Sequence, residues 1–319
     1  MAFLTRYGTV IGDVPTTLGR VFFVAPTSAY TINGQAFEAS DDNDGLAPDR
    51  AVRTIARAIA LATANVGDTI ALLPGTHTSA TQVAINKAGL TFIGISPQFR
   101  DRETFRPHAL STKVNWTSTL AGTAVALTVA DTTFIGINFI PVTAQTFMSM
   151  VTCPRTSVID CAVTLSAAAS TSTRGLIASG GSSADCSFTN SMFLNSVATS
   201  AQGPALNVTG MDRVVIDSCS FLLTGTSSAW AVAIQCGAGT AGVMRNCLLT
   251  SLNVGTITIG VDGTGVTTAN SFLFQDNKIG VTPGAGAFKN FDADSGVIVT
   301  NFIGTVSAGT GGTQSTVVI

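Results

Sequence analysis

Residues 214–221 read VVIDSCSF, an apolar run interrupted by an acid, Asp217, and a thiol, Cys219, two positions later. Such a pair is either a reactive site or one slot in a pattern that recurs, and the surrounding chain favours recurrence. With Asp217 as the reference position, similar pieces are TTFIGINFIP at Gly136, TSVIDCAVTL at Asp160, CSFTNSMFLN at Asn190, GVMRNCLLTS at Asn246, SFLFQDNKIG at Asp276 and GVIVTNFIGT at Asn301. GLTFIGISP at Gly94 is an earlier copy. From Gly136 onward the reference positions are 24, 30, 27, 29, 30 and 25 residues apart. A loose period with the length variation held between strands is the signature of a solenoid.

Each copy follows a second apolar segment: ALTVAD (126–131), GLIASGG (175–181), ALNVTGM (205–211), AVAIQCG (231–237), ITIGVDG (257–263) and FKNFDAD (288–294). These pieces are short, rich in Val, Ile, Thr and Phe, and bounded by Gly, Asn, Asp and Ser, so they predict two or three short strands per repeat. The only glutamates are Glu38 and Glu103, which argues against an extensive helical surface. One helix stands out in APDRAVRTIARAIALATANVGD (47–68). Val52, Ile55, Ile59 and Ala62 form its apolar stripe, while Arg50, Arg53 and Arg57 take the other face. Asp49 is the expected N-cap and Asn65 to Gly67 the expected stop. Such a stripe must cover something apolar, and the open end of a solenoid is such a surface.

The strand pattern, the period of roughly 27 residues and this leading helix together resemble the right-handed parallel β-helix proteins, the pectate-lyase-like group that includes phage tailspikes. The most specific residues lie in 23–78: Asp42 to Gly45, Pro48, the helix from Val52 to Ala62, Gly67 to Thr69 and Pro74 to Thr76. In that group they correspond to a Ser-Asp-rich turn, a proline, a capping helix, a Gly-Asp-Thr step into the first coil and a Pro-Gly-Thr turn. The resemblance spans about residues 21–307. It implies a fold and leaves the activity open.

Composition narrows the function. Charged residues make up 11% of the 319-residue chain, with 16 Lys and Arg against 18 Asp and Glu. No basic stripe marks a nucleic-acid partner. The mean hydropathy is +0.43, yet no window approaches the roughly 18 consecutive apolar residues of a bilayer span, so no membrane partner is expected. The first residues, MAFLTRYGTVIGDVPTTLGR, lack an unbroken apolar run followed by a cleavage site. The expectation is a protein made in a host cytoplasm without a signal peptide. Six cysteines (153, 161, 186, 219, 236 and 247) show no C-x-x-C pair, and His77 and His108 are the only histidines, which points to buried free thiols rather than a zinc site. No metal or cofactor is expected. A surface this poor in charge suits a chain covered by copies of itself.

The recurring Asp160, Asn190, Asp217, Asn246, Asp276 and Asn301 alternate acid and amide. In coils stacked about 4.8 Å apart they predict a structural ladder in which amides satisfy the acids above and below, with Cys161, Cys219 and Cys247 as small fillers. No catalytic residue is assigned. The weak candidates are Asp262 in GVDGTG and Asp292 and Asp294 in FDADSG, 30 residues on and so one coil away. Carboxylates about 5–9.5 Å apart would suit glycoside hydrolysis, and the same oxygens would suit Ca²⁺, but ordinary turn chemistry weighs more. No Arg or Lys stands in GVDGTG or FDADSG to steady a lyase's carbanion. SDDNDGL (40–46) lacks the distal glutamate of a calcium loop and reads as a self-capped turn. PQFRDRETFRPHALSTK (97–113) is the most polar insertion, read as a solvated loop with docking as the alternative. The sequons at Asn115 and Asn207 carry little weight without a signal peptide.

The sequence therefore predicts an all-β chain: a right-handed parallel β-helix solenoid over 21–307, with an N-terminal capping α-helix at about 50–64; the resemblance implies assembly as a homotrimer, which the low surface charge suits. Residues 1–20 form an arm for attachment to capsid or tail proteins, and 308–319 a C-terminal tail. The expected role is a non-enzymatic virion structural protein, a decoration or appendage on a phage capsid with at most weak adhesion to the host surface. The alternative is a tailspike or tail fibre that binds or depolymerises a bacterial surface polysaccharide. A secreted pectin-type lyase is the weakest reading.

Overall fold

A computed structural model describes residues 19–32, 34–95, 114–120, 122–141, 146–165, 177–179, 183–196, 201–224, 229–251, 256–266, 272–281, 286–289, 291, 296–305 and 314–318. Three sheets wind around one core. The first contains ten strands, from Val21–Val24 through Val214–Asp217 to Gly296–Val299. The second contains ten, from Thr76–Ser79 through Ser220–Leu223 to Asn301–Thr305 and then Gln314–Val318. The third runs from Val83–Ile85 through Thr256–Asp262 to Gly286–Lys289. Pairing within these sheets is parallel throughout, except that Gln314–Val318 turns back antiparallel on Asn301–Thr305. The chain is a right-handed parallel β-helix.

Alternation along each strand sends one set of side chains inward. Phe92, Phe134, Val158, Phe188, Ile216, Met244 and Phe274 stack in the first sheet, and Trp116, Phe139, Val163, Phe193, Phe221, Leu249 and Ile279 in the second. All join one core. Like residues in register stack face to face: the Phe193 and Phe221 rings lie 4.7 Å apart and 4° from parallel, a favourable aromatic contact when offset.

The helix is shorter than the sequence suggests and starts later. It spans Ile55–Leu61, after a 3-10 turn at Pro48–Arg50. Thr54, not Asp49, is its N-cap: the Thr54 hydroxyl accepts from the Arg57 N–H at 3.1 Å. Thr54 is held in turn by Asp41, whose carboxylate accepts from the backbone N–H groups of Arg53 and Thr54 and from the Thr54 hydroxyl. Asp49 fails as a cap because Pro48–Arg50 forms its own turn and Ala51 leaves it extended. The expected stripe is buried, with Val52, Ile55, Ile59 and Ala62 at 4% exposure or less, and it joins the main core at the first coil. Lys87 Nζ donates to the carbonyls of Ala60 and Ala62 at the end of the helix, a cation where the exposed carbonyls favour one.

The distinctive N-terminal motifs are structural. Asp68 is fully buried and accepts from the backbone N–H groups of Arg20 and Thr63, both at 2.7 Å. The Asn43 amide donates to Ala51 O, and Asp44 caps the Leu46 N–H, so SDDNDGL is a turn held by its own side chains. A Cβ on Gly75 would stand 2.7 Å from Pro26, so Pro74–Thr76 needs glycine at its centre. Among the described residues, no helix is long and apolar enough to cross a membrane.

Candidate functional site

The polar residues flagged by the sequence fall at two corners of the coil and on the outer face of the third sheet. The corner between the first and second sheets is one residue in left-handed conformation: Gly136, Asp160, Asn190, Ser218, Asn246, Asp276 and Thr300, with φ between 49° and 66°. Asn and Asp tolerate that region better than other non-glycine residues. Asp217 and Asn301 do not belong to this column, which corrects the predicted ladder. Asp217 is the last strand residue before the corner and pairs with Thr189 and Arg245. Asn301 follows the corner and begins the next strand. The strand Val214–Asp217 keeps its pleat through Asp217, so the backbone reverses hand one residue later than the acid suggests.

Two of the expected acid–amide contacts form, with the Asn190 amide donating to Asp160 and the Asn246 amide to Asp217. Asp217 reaches the same corner from the strand and accepts from Arg245 Nε at 2.8 Å, Ser218 at 2.9 Å and the Asn246 amide at 3.3 Å. Burial opposes its ionisation, but these hydrogen bonds outweigh that and hold its carboxyl below the usual carboxylate range.

The ladder that carries the stack points inward, one residue after the corner: Ile137, Cys161, Ser191, Cys219, Cys247, Asn277 and Asn301, all at 3% exposure or less. Its polar members satisfy buried backbone groups. Ser191 Oγ accepts from the Cys161 N–H, Asn277 Oδ1 from the Cys247 N–H and Asn301 Oδ1 from the Asn277 N–H. The Cys219 and Cys247 thiols donate to carbonyls of the preceding coil at Phe188 and Ile216. All six cysteines are buried, and none is paired in a disulfide among the described residues.

A second polar ladder, not anticipated from the sequence, occupies the corner between the third and first sheets. Asp131, Arg155, Asp185 and Arg213 all adopt left-handed conformation there. Arg155 grips Asp131 with two bonds of 2.6 and 2.8 Å, and Arg213 grips Asp185 at 2.7 and 2.9 Å while also reaching Asp212. The arginine hydrogen bonds hold the Asp131 and Asp185 carboxyls below their usual range. The signal was present as Asp, Arg, Asp and Arg 24, 30 and 28 residues apart, intervals close to those of the strand repeat.

On the outer face of the third sheet, Asn207, Gln235 and Asp262 stand in register on successive coils, with Lys289 at the next register position. Asp262 is only 8% exposed. Its Oδ1 accepts from the Thr264 N–H at 3.1 Å and the Thr264 hydroxyl at 2.8 Å, and Asn207 makes the matching bond to the Thr209 N–H. Both are side-chain-capped turns. A Cβ on Gly263 would meet the Phe291 ring at 2.5 Å, so Phe291 lies directly on this turn. Asp292 and Asp294 lie outside the described residues. Among the described residues, no three His, Cys, Asp or Glu side chains group as metal ligands would.

With this geometry in hand, comparison with solved structures identifies the fold. The chain superposes on a rhamnogalacturonan lyase with a TM-score of 0.60 at 13% identity, covering 89% of this chain and 74% of that one. It superposes on the pectin methylesterase from Aspergillus niger with a TM-score of 0.54 at 14% identity, covering 92% and 87%. The architecture shared with both is the right-handed parallel β-helix. No protein-family model matches the sequence, and no curated protein matches it.

Proposed function

We propose that this chain is a non-enzymatic structural component of a phage virion, a homotrimeric β-helix that decorates the capsid surface and is attached through residues 1–20. The supporting observation is what the outer acids do. Asp131, Asp185 and Asp217 are bonded to arginines of neighbouring coils, and Asp262 caps its own turn. Carboxylates committed to the fold in this way are not poised for proton transfer or nucleophilic attack, which need a group near the reacting atom with its pKa tuned to the task. The low charge of the chain, 11%, suits faces covered by other copies.

One observation favours a second reading, a tailspike that binds or depolymerises a surface glycan. Asn207, Gln235 and Asp262 present amides and an acid in a row at the coil spacing, the kind of groups that bond sugar hydroxyls.

Two measurements separate the readings. The virion reading expects a solution mass three times the chain's 32.5 kDa and no release of reducing ends from host capsule or O-antigen. Release that disappears in an Asp262→Asn, Asp292→Asn, Asp294→Asn variant would establish the second reading, and a monomer in solution would remove the trimer.

A further inference from the structure

Each of the three sheets begins with a strand whose outer edge needs a partner, and the molecule treats the three edges differently. In the first sheet, Phe23 N–H donates to Gly45 O at 2.7 Å, Val52 N–H to Phe23 O at 2.9 Å and Ala25 N–H to Val52 O at 3.0 Å, so the lead-in segment closes that edge. In the third, the helix Ile55–Leu61 packs against Val83–Ile85. In the second, among the described residues, Thr76–Ser79 is bonded on one side only, to Val114–Ser118.

The direction of the free groups follows from the parallel ladder. Asn115 N–H donates to Gly75 O and Thr119 N–H to Ser79 O, so residues 75, 77 and 79 face the neighbouring strand. The N–H and C=O groups of Thr76 and Thr78 therefore point the other way. They open onto a cleft of about 620 Å³, walled by Pro26 and Thr27 on one side and by Arg53, Thr54 and Ala56 on another. An unpaired edge is a template for an added strand, and this one borders a cleft with room for several residues of extended chain.

We propose that this edge is a strand-docking site and that its occupant in the free protein is the chain's own segment 1–18. The segment leads directly to Gly19, which packs against Gly67 and Asp68 at the first coil. Eighteen residues reach up to about 60 Å when extended, more than enough to cross one coil. Residues 3–11, FLTRYGTVI, are dominated by aromatic and β-branched residues, a composition that fits a pleated strand. The inference goes beyond the virion reading, because it holds or fails whatever particle the chain serves.

The test is hydrogen exchange on the full-length chain, read at the amides of residues 3–11. Thr78→Pro removes an N–H aimed into the cleft and spares those bonded to Val114–Ser118, a position where an edge strand accepts proline. Ala56→Trp fills the cleft from the helix side and leaves the strand unchanged, so one variant remains informative if the other misfolds. The wild type is expected to slow these amides about a hundredfold relative to unstructured chain, and either folded variant to abolish the slowing. Free exchange at 3–11 in the wild type, or slowing that survives both variants, overturns the proposal.

Discussion

Asn301 Oδ1 takes two hydrogen bonds from Asn277 on the preceding coil, one from its backbone N–H at 3.0 Å and one from its side-chain amide at 2.9 Å. Asn277 passes the arrangement on, accepting from the Cys247 N–H at 3.0 Å and donating to Met244 O at 2.9 Å. Truncating Asn277 takes these side-chain bonds from the buried Cys247 N–H and Met244 O of the preceding coil and one of two from Asn301 Oδ1 on the next, a loss of about 2–4 kcal/mol. Asp217→Ala removes bonds at a solvated corner where Arg245 is 48% exposed, and costs at most about 1 kcal/mol. Urea unfolding of Asn277→Ala and Asp217→Ala measures both; equal losses would contradict the inward ladder.

The corner register is tested by glycine. Ser218 has φ 56°, a conformation costing an L-residue about 1–2 kcal/mol. Ser218→Gly is therefore expected to be neutral or to raise the melting temperature. Asp217→Gly, one residue earlier in an extended strand, is expected to lower it. The reverse order would place the corner at Asp217.

His77 gives the fold a pH dependence. Its ring is 3% exposed and bonded to Leu73 O at 2.8 Å, and burial lowers its pKa to about 4 against an ordinary 6.5. Between those values the unfolded chain takes up a proton that the folded chain refuses. Its contribution is thus complete above pH 6.5 and falls by about 3 kcal/mol as the pH drops to 4. The paired carboxyls Asp131 and Asp185, held low in the fold, lose their contributions only below the ordinary carboxylate range. His77→Gln should flatten the stability profile between pH 6.5 and 4; an unchanged slope would mean the imidazole is solvated.

Arg155 sits between Asp131 and Asp185 on adjacent coils and feels both charges. Arg155→Gln should lower the melting temperature slightly. Arg155→Asp puts three acids on successive coils and should lower it further, with salt recovering part of the loss by screening an exposed corner. No difference between the two variants would show that the alternation contributes nothing.

Most of the fold was legible because it rests on repetition: the period, the apolar alternation and the helix stripe at Val52, Ile55, Ile59 and Ala62 each report what must be buried. The ladder was misread at two positions because alignment on acids and amides follows outward residues, which solvent leaves free to shift by one place. Alignment on Cys161, Cys219 and Cys247 would have found the inward column, where burial fixes position and admits only small or fully bonded side chains. At Asp262 the turn is legible, since Asp-Gly-Thr carries its own hydroxyl and N–H partners. The edge at Thr76–Ser79, unpaired among the described residues, left no trace in the sequence, because pairing is a property of neighbours rather than of the strand.

The proposed virion role is tested most directly by cryo-electron microscopy of the purified particle to which this reading assigns the chain. It predicts threefold β-helical density on the capsid surface, joined to the shell by residues 1–20. Density confined to the tail tip, or a purified particle from which the chain is missing, would contradict it.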